Sequence, residues 1–205
     1  MPGLLGKKLG MTSIYVGDRV VPVTVVEAGP CKVVDVKTKD KDGYEAVQLG
    51  YGSKKEKNVN KPMLGHFRKN NVEPAAVLRE FKGYDLSEVK AGDTLTVEVF
   101  EIGEMVSVSS NSKGKGFQGV MRRHGFGGVG GTTHGQSNRL RAPGSIGQSS
   151  DPSRVLKGTR MAGRMGGKRV TTKGLRIIRI DPDKNILMIK GAIPGSINSI
   201  VEIKK

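Results

Sequence analysis

The chain is 205 residues long, 36% hydrophobic but only 4% aromatic, and it contains no tryptophan. It carries 35 Lys/Arg against 19 Asp/Glu, a formal charge of +16, and such self-repulsion is best tolerated beside a polyanion. A large aromatic pocket is excluded, and so is a membrane-spanning helix, because no apolar run approaches the roughly 18 to 20 residues that crossing requires.

The opening stretch MPGLLGKKLGMT lacks both the apolar core of a secretion signal and the composition of a transit peptide, so a cytoplasmic protein with no membrane contact is expected. Cys31 is the single cysteine, which excludes an internal disulfide and a thiolate metal cluster within one chain. Residues 20–28 (VVPVTVVEA) and 31–38 (CKVVDVKT) are β-branched runs parted by Gly29-Pro30, and 44–52 (YEAVQLGYG) follows the turn signal Lys41-Asp42-Gly43. Residues 60–71 (NKPMLGHFRKNN) predict a short helix, with Pro62 in its first turn and Leu64, Phe67 and Arg68 at helical spacing. Residues 75–81 (AAVLREF), 93–100 (DTLTVEVF) and 104–110 (EMVSVSS) read as strands. A helix is expected over 117–123. In 175–195 (LRIIRIDPDKNILMIKGAIPG) two apolar runs joined by 181–185 predict a β-hairpin. That tail is too short to fold alone and should complete the sheet begun in the first hundred residues.

Charge divides the chain unevenly. Residues 1–112 carry 16 Lys/Arg against 15 Asp/Glu, and 170–205 carry 7 against 3. Residues 113–169 carry 12 against Asp151 alone, a net of +11, and hold 15 of the 30 glycines. The expected organisation is mainly β: a closed globular body from 1–112 and 170–205 with short helices, and a long irregular basic excursion over 113–169 inserted before the C-terminal strands.

Motifs for catalysis fare poorly. Gly114, Gly116 and Gly119 have G-x-G-x-x-G spacing, but a dinucleotide site needs a βαβ unit and an acid about 20 residues on. Here that neighbourhood is GQSNRLRAPG. AGRMGGKR has Ala162 where the first P-loop glycine belongs and Arg169 where the hydroxyl belongs. His66, His124 and His134 lack the spacing of a zinc pair, and no nucleophile with an orienting acid is evident. No cofactor, metal or catalytic residue is therefore assigned.

What remains suits folded RNA: glycine lets a backbone approach phosphates, Arg forks onto their oxygens, and amides read base edges or 2′-hydroxyls. The candidate contacts are Lys113, Lys115, Arg122, Arg123, His134, Arg139, Arg141, Ser145, Gln148, Arg154, Lys157, Arg160, Arg164, Lys168 and Arg169. A disordered basic tail would share this composition. Against it stand the apolar residues spaced through the segment, Phe117, Val120, Met121, Leu140, Ile146, Val155, Leu156, Met161 and Met165. Two rival classes use the same features: an RNA chaperone or RNA-modifying accessory that grips substrate with the basic segment, and a nucleotide-dependent enzyme using Gly114 to Gly119.

Residues 144–171 (GSIGQSSDPSRVLKGTRMAGRMGGKRVT) closely resemble bacterial large-subunit ribosomal protein three, the universal L-three family. So, in order, do 3–12 (GLLGKKLGMT), 21–31 (VPVTVVEAGPC), 42–50 (DGYEAVQLG), 60–67 (NKPMLGHF), 112–126 (SKGKGFQGVMRRHGF) and 187–195 (LMIKGAIPG). The resemblance implies a six-stranded barrel like that of translation factors and an extension reaching toward the peptidyl transferase centre. It implies binding to large-subunit ribosomal RNA, early assembly near that RNA's 3′ end, and large-subunit proteins fourteen and nineteen as neighbours. Gln148 matches a glutamine that is N5-methylated in some members, which makes a glutamine methyltransferase a further possible partner; an unmodified amide bonded to RNA is the alternative. Where some members place Trp, this chain has His124, which puts any stacking role there in doubt.

Overall fold

The computed structural model describes residues 2–87, 89–130, 135 and 138–205. The chain divides into two compact units, Met1–Ser112 with Arg169–Lys205, and Lys113–Lys168. The described residues form twelve strands and three short helices.

In the first unit, β1 (Gly3–Val16) and β2 (Arg19–Ala28) make a long hairpin, followed by β3 (Cys31–Lys37), a single turn α1 (Lys39–Asp42) and β4 (Ala46–Ser53). Next come α2 (Lys61–Lys69), β5 (Ala75–Phe81), β6 (Thr94–Leu95) and β7 (Met105–Asn111). The second unit holds β8 (Phe117–Gln118), α3 (Val120–His124) and β9 (Gly163–Arg164). The chain then returns through β10 (Arg169–Asp181), β11 (Ile186–Lys190) and β12 (Ile200–Lys204). Six strands pair in the closed order β1-β12-β7-β10-β11-β2, and β2 pairs back onto β1; a four-stranded sheet has the order β5-β4-β3-β6.

The first and last strands of the chain meet, Gly3 opposite Lys204 and Lys7 opposite Ile200. This is why β1 carries glycines in a strand: a Cβ on Gly6 would lie 2.7 Å from the Glu27 carbonyl oxygen, and one on Gly3 would collide with the Ile203 carbonyl. The Tyr84 hydroxyl adds a clasp, accepting from the Gly3 N–H at 3.2 Å and donating to its carbonyl at 2.6 Å. Neither β1 nor β12 was anticipated from sequence; in β1, glycines at every third or fourth place and the adjacent Lys7 and Lys8 hide the strand period. The other expected strands and the Pro62 helix are present, with 181–185 joining β10 to β11.

Two expectations are corrected. Residues 93–100 form the short β6 and then a single tight turn over Val97–Val99 rather than a continuous strand. Val97 and Phe100 are both buried; three residues apart, they would face opposite ways in a strand, and a helical turn brings them to one side. The helix expected over 117–123 begins only at Val120, because Phe117 and Gln118 pair with Arg164 and Gly163.

One core joins the ring and the four-stranded sheet, built from residues such as Leu4, Leu5, Val26, Ile177, Leu187 and Ile203 on one side and Val33, Leu49 and Phe81 on the other. The neighbouring Val34 points the opposite way into a second cluster with Phe67 of α2 and Val72, so apolar residues of β3 pack on both of its faces while Lys32, Asp35 and Lys37 interrupt the run. Cys31 is buried, its thiol donating to the Leu5 carbonyl at 3.3 Å, and burial pushes its pKa up to about 11. By contrast, the outer half of the β1–β2 hairpin lies bare. The register puts Met11, Tyr15, Val20 and Pro22 on one face, with Tyr15 79% exposed.

Two outcomes follow from the packing. Gly6→Ala should destabilise the first unit by about 1 to 3 kcal/mol, the usual cost of forcing a clash into a packed core, seen as a lowered Tm. The Cys31 thiol should stay unreactive toward Ellman's reagent at pH 8 in the native protein and react once denaturant is added. A native reaction at the rate of a free thiol would contradict the buried placement.

Candidate nucleic-acid interface

The basic unit is organised by backbone pairing rather than by a core. Beside the β8–β9 pair, the Lys115 N–H donates to the Met165 carbonyl and the Met165 N–H to the Gly116 carbonyl, each at 2.9 Å. Gly116 and Gly166 sit at φ +67° and +72°, and a Cβ on Gly166 would collide with the Lys113 carbonyl. The G-x-G-x-x-G glycines thus form the edge of a small ladder, with part of their polar backbone already engaged. The five-residue α3 offers no second half of a nucleotide site.

Side chains reinforce this ladder from one side. Arg123 donates through Nη1 to the Met161 carbonyl at 2.6 Å, and the His124 ring Nε2 lies 3.1 Å from the same oxygen. Gln118 caps the Lys115 carbonyl and lies within reach of Arg122 at 3.4 Å. A Cβ on Gly163 would lie 2.7 Å from the Arg123 guanidinium. Arg123 therefore has a structural duty, which the sequence did not distinguish from those of its neighbours.

Among the described residues of this unit Val120 alone is buried. Phe117, Leu140, Ile146, Val155, Leu156 and Met161, which in the sequence argue against a disordered basic tail, are exposed. Lys113, Lys115, Arg122, Arg139, Arg141, Arg154, Lys157, Arg160, Arg164 and Lys168 are exposed as well, and Asp151 is the only carboxylate in the unit's sequence. The structure brings Ser145, Gln148 and Arg154 to one open cleft of about 310 Å³, where the Ser145 hydroxyl donates to the Gly147 carbonyl at 3.0 Å. Gln148 is exposed there. His134 lies outside the described residues.

Arg169 belongs to the first unit, opposite Asn111 in the β10–β7 ladder. Its guanidinium meets the Glu202 carboxylate, whose other oxygen accepts from Arg79 Nε at 3.0 Å. Arg79 and Glu202 were missed by sequence reading. They stand 123 residues apart, and nothing local marks either.

This is a closed β body bearing a cationic, glycine-rich insertion whose surface is almost wholly unburied, the build of a scaffold protein for a polyanion rather than of an enzyme with an enclosed site. A family profile described as ribosomal protein L3 matches residues 82–185. The chain is 56% identical over 205 residues to the large ribosomal subunit protein uL3 of Chlorobium limicola, covering 99% of this chain and 98% of that one. It is 55% identical to the protein of that name from Chlorobium phaeobacteroides and 54% to that from Chlorobaculum tepidum, with the same coverage. The chain belongs to the ribosomal protein L3 family, whose members are non-enzymatic proteins of the translation machinery.

With Val120 its only described buried side chain, the unit Lys113–Lys168 cannot offset the ordering cost of about 1 to 2 kcal/mol per residue from its own packing. Limited proteolysis of the isolated protein should cut within that unit first and leave the two flanking parts joined as a resistant β body. Equal resistance throughout would show that the insertion holds itself together.

Proposed function

We propose that this chain is a structural constituent of the large subunit of the cytoplasmic ribosome, where its basic unit binds large-subunit ribosomal RNA. The observation that carries this reading is the near full-length identity to large ribosomal subunit proteins. The charge distribution supports it independently: residues 1–112 net only +1 and residues 170–205 net +4, whereas the insertion nets +11 over residues 113–169.

The finer reading follows the resemblance. The closed six-stranded ring corresponds to the translation-factor-like barrel, and the basic unit reaches toward the peptidyl transferase centre. The protein joins early, near the 3′ end of the ribosomal RNA. Exposed arginines such as Arg139, Arg141, Arg160 and Arg164 form phosphate contacts, while Ser145 and Gln148 contact bases or sugars. Glycines bring the backbone close to the RNA. Gln148 stands in an accessible loop where a methyltransferase can reach it before assembly, and peptide mass spectrometry of the native protein reads the methyl group directly. Large-subunit proteins fourteen and nineteen are the expected neighbours. The bare face of Met11, Tyr15, Val20 and Pro22 carries no charge and suits a protein contact better than a phosphate backbone.

The test is salt dependence. Each phosphate contact contributes about −0.7 to −0.9 to the slope of log affinity against log salt. Arg141→Ala and Arg164→Ala should each reduce the slope for ribosomal RNA by up to about that amount and leave the Tm of the β body unchanged. Lys39→Ala, Lys54→Ala and Lys90→Ala should change it far less, since acidic residues offset the lysines of the body. Retention of full affinity and slope after removal of the basic unit would show that RNA binding lies elsewhere in the chain.

A further inference from the structure

The first unit contains a second cluster of charged side chains, drawn from four of its strands. An open cleft of about 390 Å³ is lined by Arg79 of β5, Asn111 of β7, Arg169 of β10 and Glu202 of β12, with serines along its edge. Glu202 is the most covered member, its side chain 12% exposed, whereas those of Arg79 and Arg169 are 54% and 56% exposed. Each carboxylate oxygen takes one guanidinium. Arg79 is pinned further by Nη1, which donates to the Leu78 carbonyl at 2.8 Å.

One carboxylate cannot neutralise two guanidiniums. The triad carries a net charge of +1, and holding two cations on one carboxylate brings like charges close together. A largely covered carboxylate is costly to desolvate unless well paired, so Glu202 is better explained as an orienting group than as a surface ion pair. It holds two planar guanidiniums at the lining of the cleft, each with N–H groups beyond those bonded to Glu202. Nearby hydroxyls are already engaged: Ser109 with Thr171 at 2.8 Å, Ser110 with the Ile200 carbonyl at 2.6 Å and Ser199 with the Ser196 carbonyl at 2.7 Å. Recognition therefore falls to the guanidiniums, which bind phosphate oxygens in bidentate fashion.

We propose that Arg79 and Arg169, oriented by Glu202, form a binding fork for one backbone phosphate of the RNA on the β body. This rests on the ribosomal RNA reading above. Phosphate is favoured over a carboxylate of a neighbouring protein because Arg169 directly follows the basic segment, next in sequence to Lys168 and five residues beyond Arg164. At this point the sequence passes from the basic segment into the body, so Arg169 continues that segment's run of cations. Glu202 is a positioning residue in this arrangement, and it gives the fork a distinctive signature: removing its negative charge should weaken RNA binding, whereas simple charge attraction would strengthen it.

The experiment measures affinity of the full chain for a large-subunit ribosomal RNA transcript across a range of salt, with Tm recorded for each variant. Glu202→Gln makes the protein one charge more positive and is expected to bind three- to tenfold more weakly. Arg79→Lys keeps the charge but loses the fork and is expected to show a similar loss; because Arg79 is half exposed, this variant remains informative if Glu202→Gln fails to fold. Arg79→Gln should lower the salt slope by about 0.7 to 0.9. Unchanged or tighter binding by folded Glu202→Gln together with unchanged binding by Arg79→Lys would overturn the fork while leaving the ribosomal reading intact. A wild-type chain with no salt-dependent affinity for the transcript would remove both. A defect seen only during subunit assembly, and never with naked RNA, would assign the fork to a protein carboxylate and overturn the phosphate assignment.

Discussion

The antiparallel pairing of β7 with β10, and within it Asn111 opposite Arg169, is the constraint on which the organisation of the molecule depends. The chain leaves the body at the end of one strand and re-enters it at the start of the strand beside it. A 57-residue insertion (112–168) is thereby reduced, as far as the body is concerned, to a long hairpin loop. Loop closure becomes only slowly more costly with length, about 0.6 kcal/mol per doubling, so an insertion of this size burdens the body little. The same pairing brings the chain termini into use, because the ring closes only when β12 comes back to lie between β7 and β1.

The division of charge follows from that topology. Outside the insertion, several cations have carboxylate partners: Lys32 with Glu73, Lys37 with Asp35 and Asp42, Arg79 and Arg169 with Glu202, Lys205 with Glu104. The paired carboxylates of Asp42 and Glu73 are held below their usual range by hydrogen bonds from these lysines. Such exposed pairs contribute little to stability, yet they offset much of the body's positive charge and leave its core to hold the fold. Within Lys113–Lys168 the only carboxylate is Asp151. Self-repulsion is thus confined to the part of the chain with the least packing to lose.

Much of the fold was legible in the sequence, and the exceptions have physical causes. Runs such as 20–28 and 31–38 declare themselves because burial and β-branching coincide. β1 does not, because Gly3 and Gly6 answer to backbone on β12 and β2 rather than to any local pattern, and residues 97–99 form a turn because two core positions had to share a side. In the basic unit the residue types were readable but their duties were not. Arg122 and Arg123 are adjacent and chemically alike, yet only Arg123 is bound to the Met161 carbonyl. The exposed Phe117 and Leu156 look like core residues in a composition count. Only the structure shows that the chain itself leaves them uncovered. Long-range pairs such as Arg79 with Glu202 are beyond any local pattern.

Exposed apolar residues and an excess of cations over carboxylates in the same segment point to one physical explanation rather than two. A solvated linker would carry the charge without the apolar side chains, and a protein-docking loop would carry the apolar groups without so much charge. Folded RNA answers both demands, since it offers phosphates to the cations and base or sugar faces to the apolar groups. On the reading proposed above, the body folds through its own core and the insertion is ordered chiefly against RNA. The few internal constraints it does carry, the Lys115–Met165–Gly116 ladder and the Arg123–Met161 bond, restrict the conformations available before binding. That lowers the entropy lost when RNA is met without requiring the insertion to be stable alone.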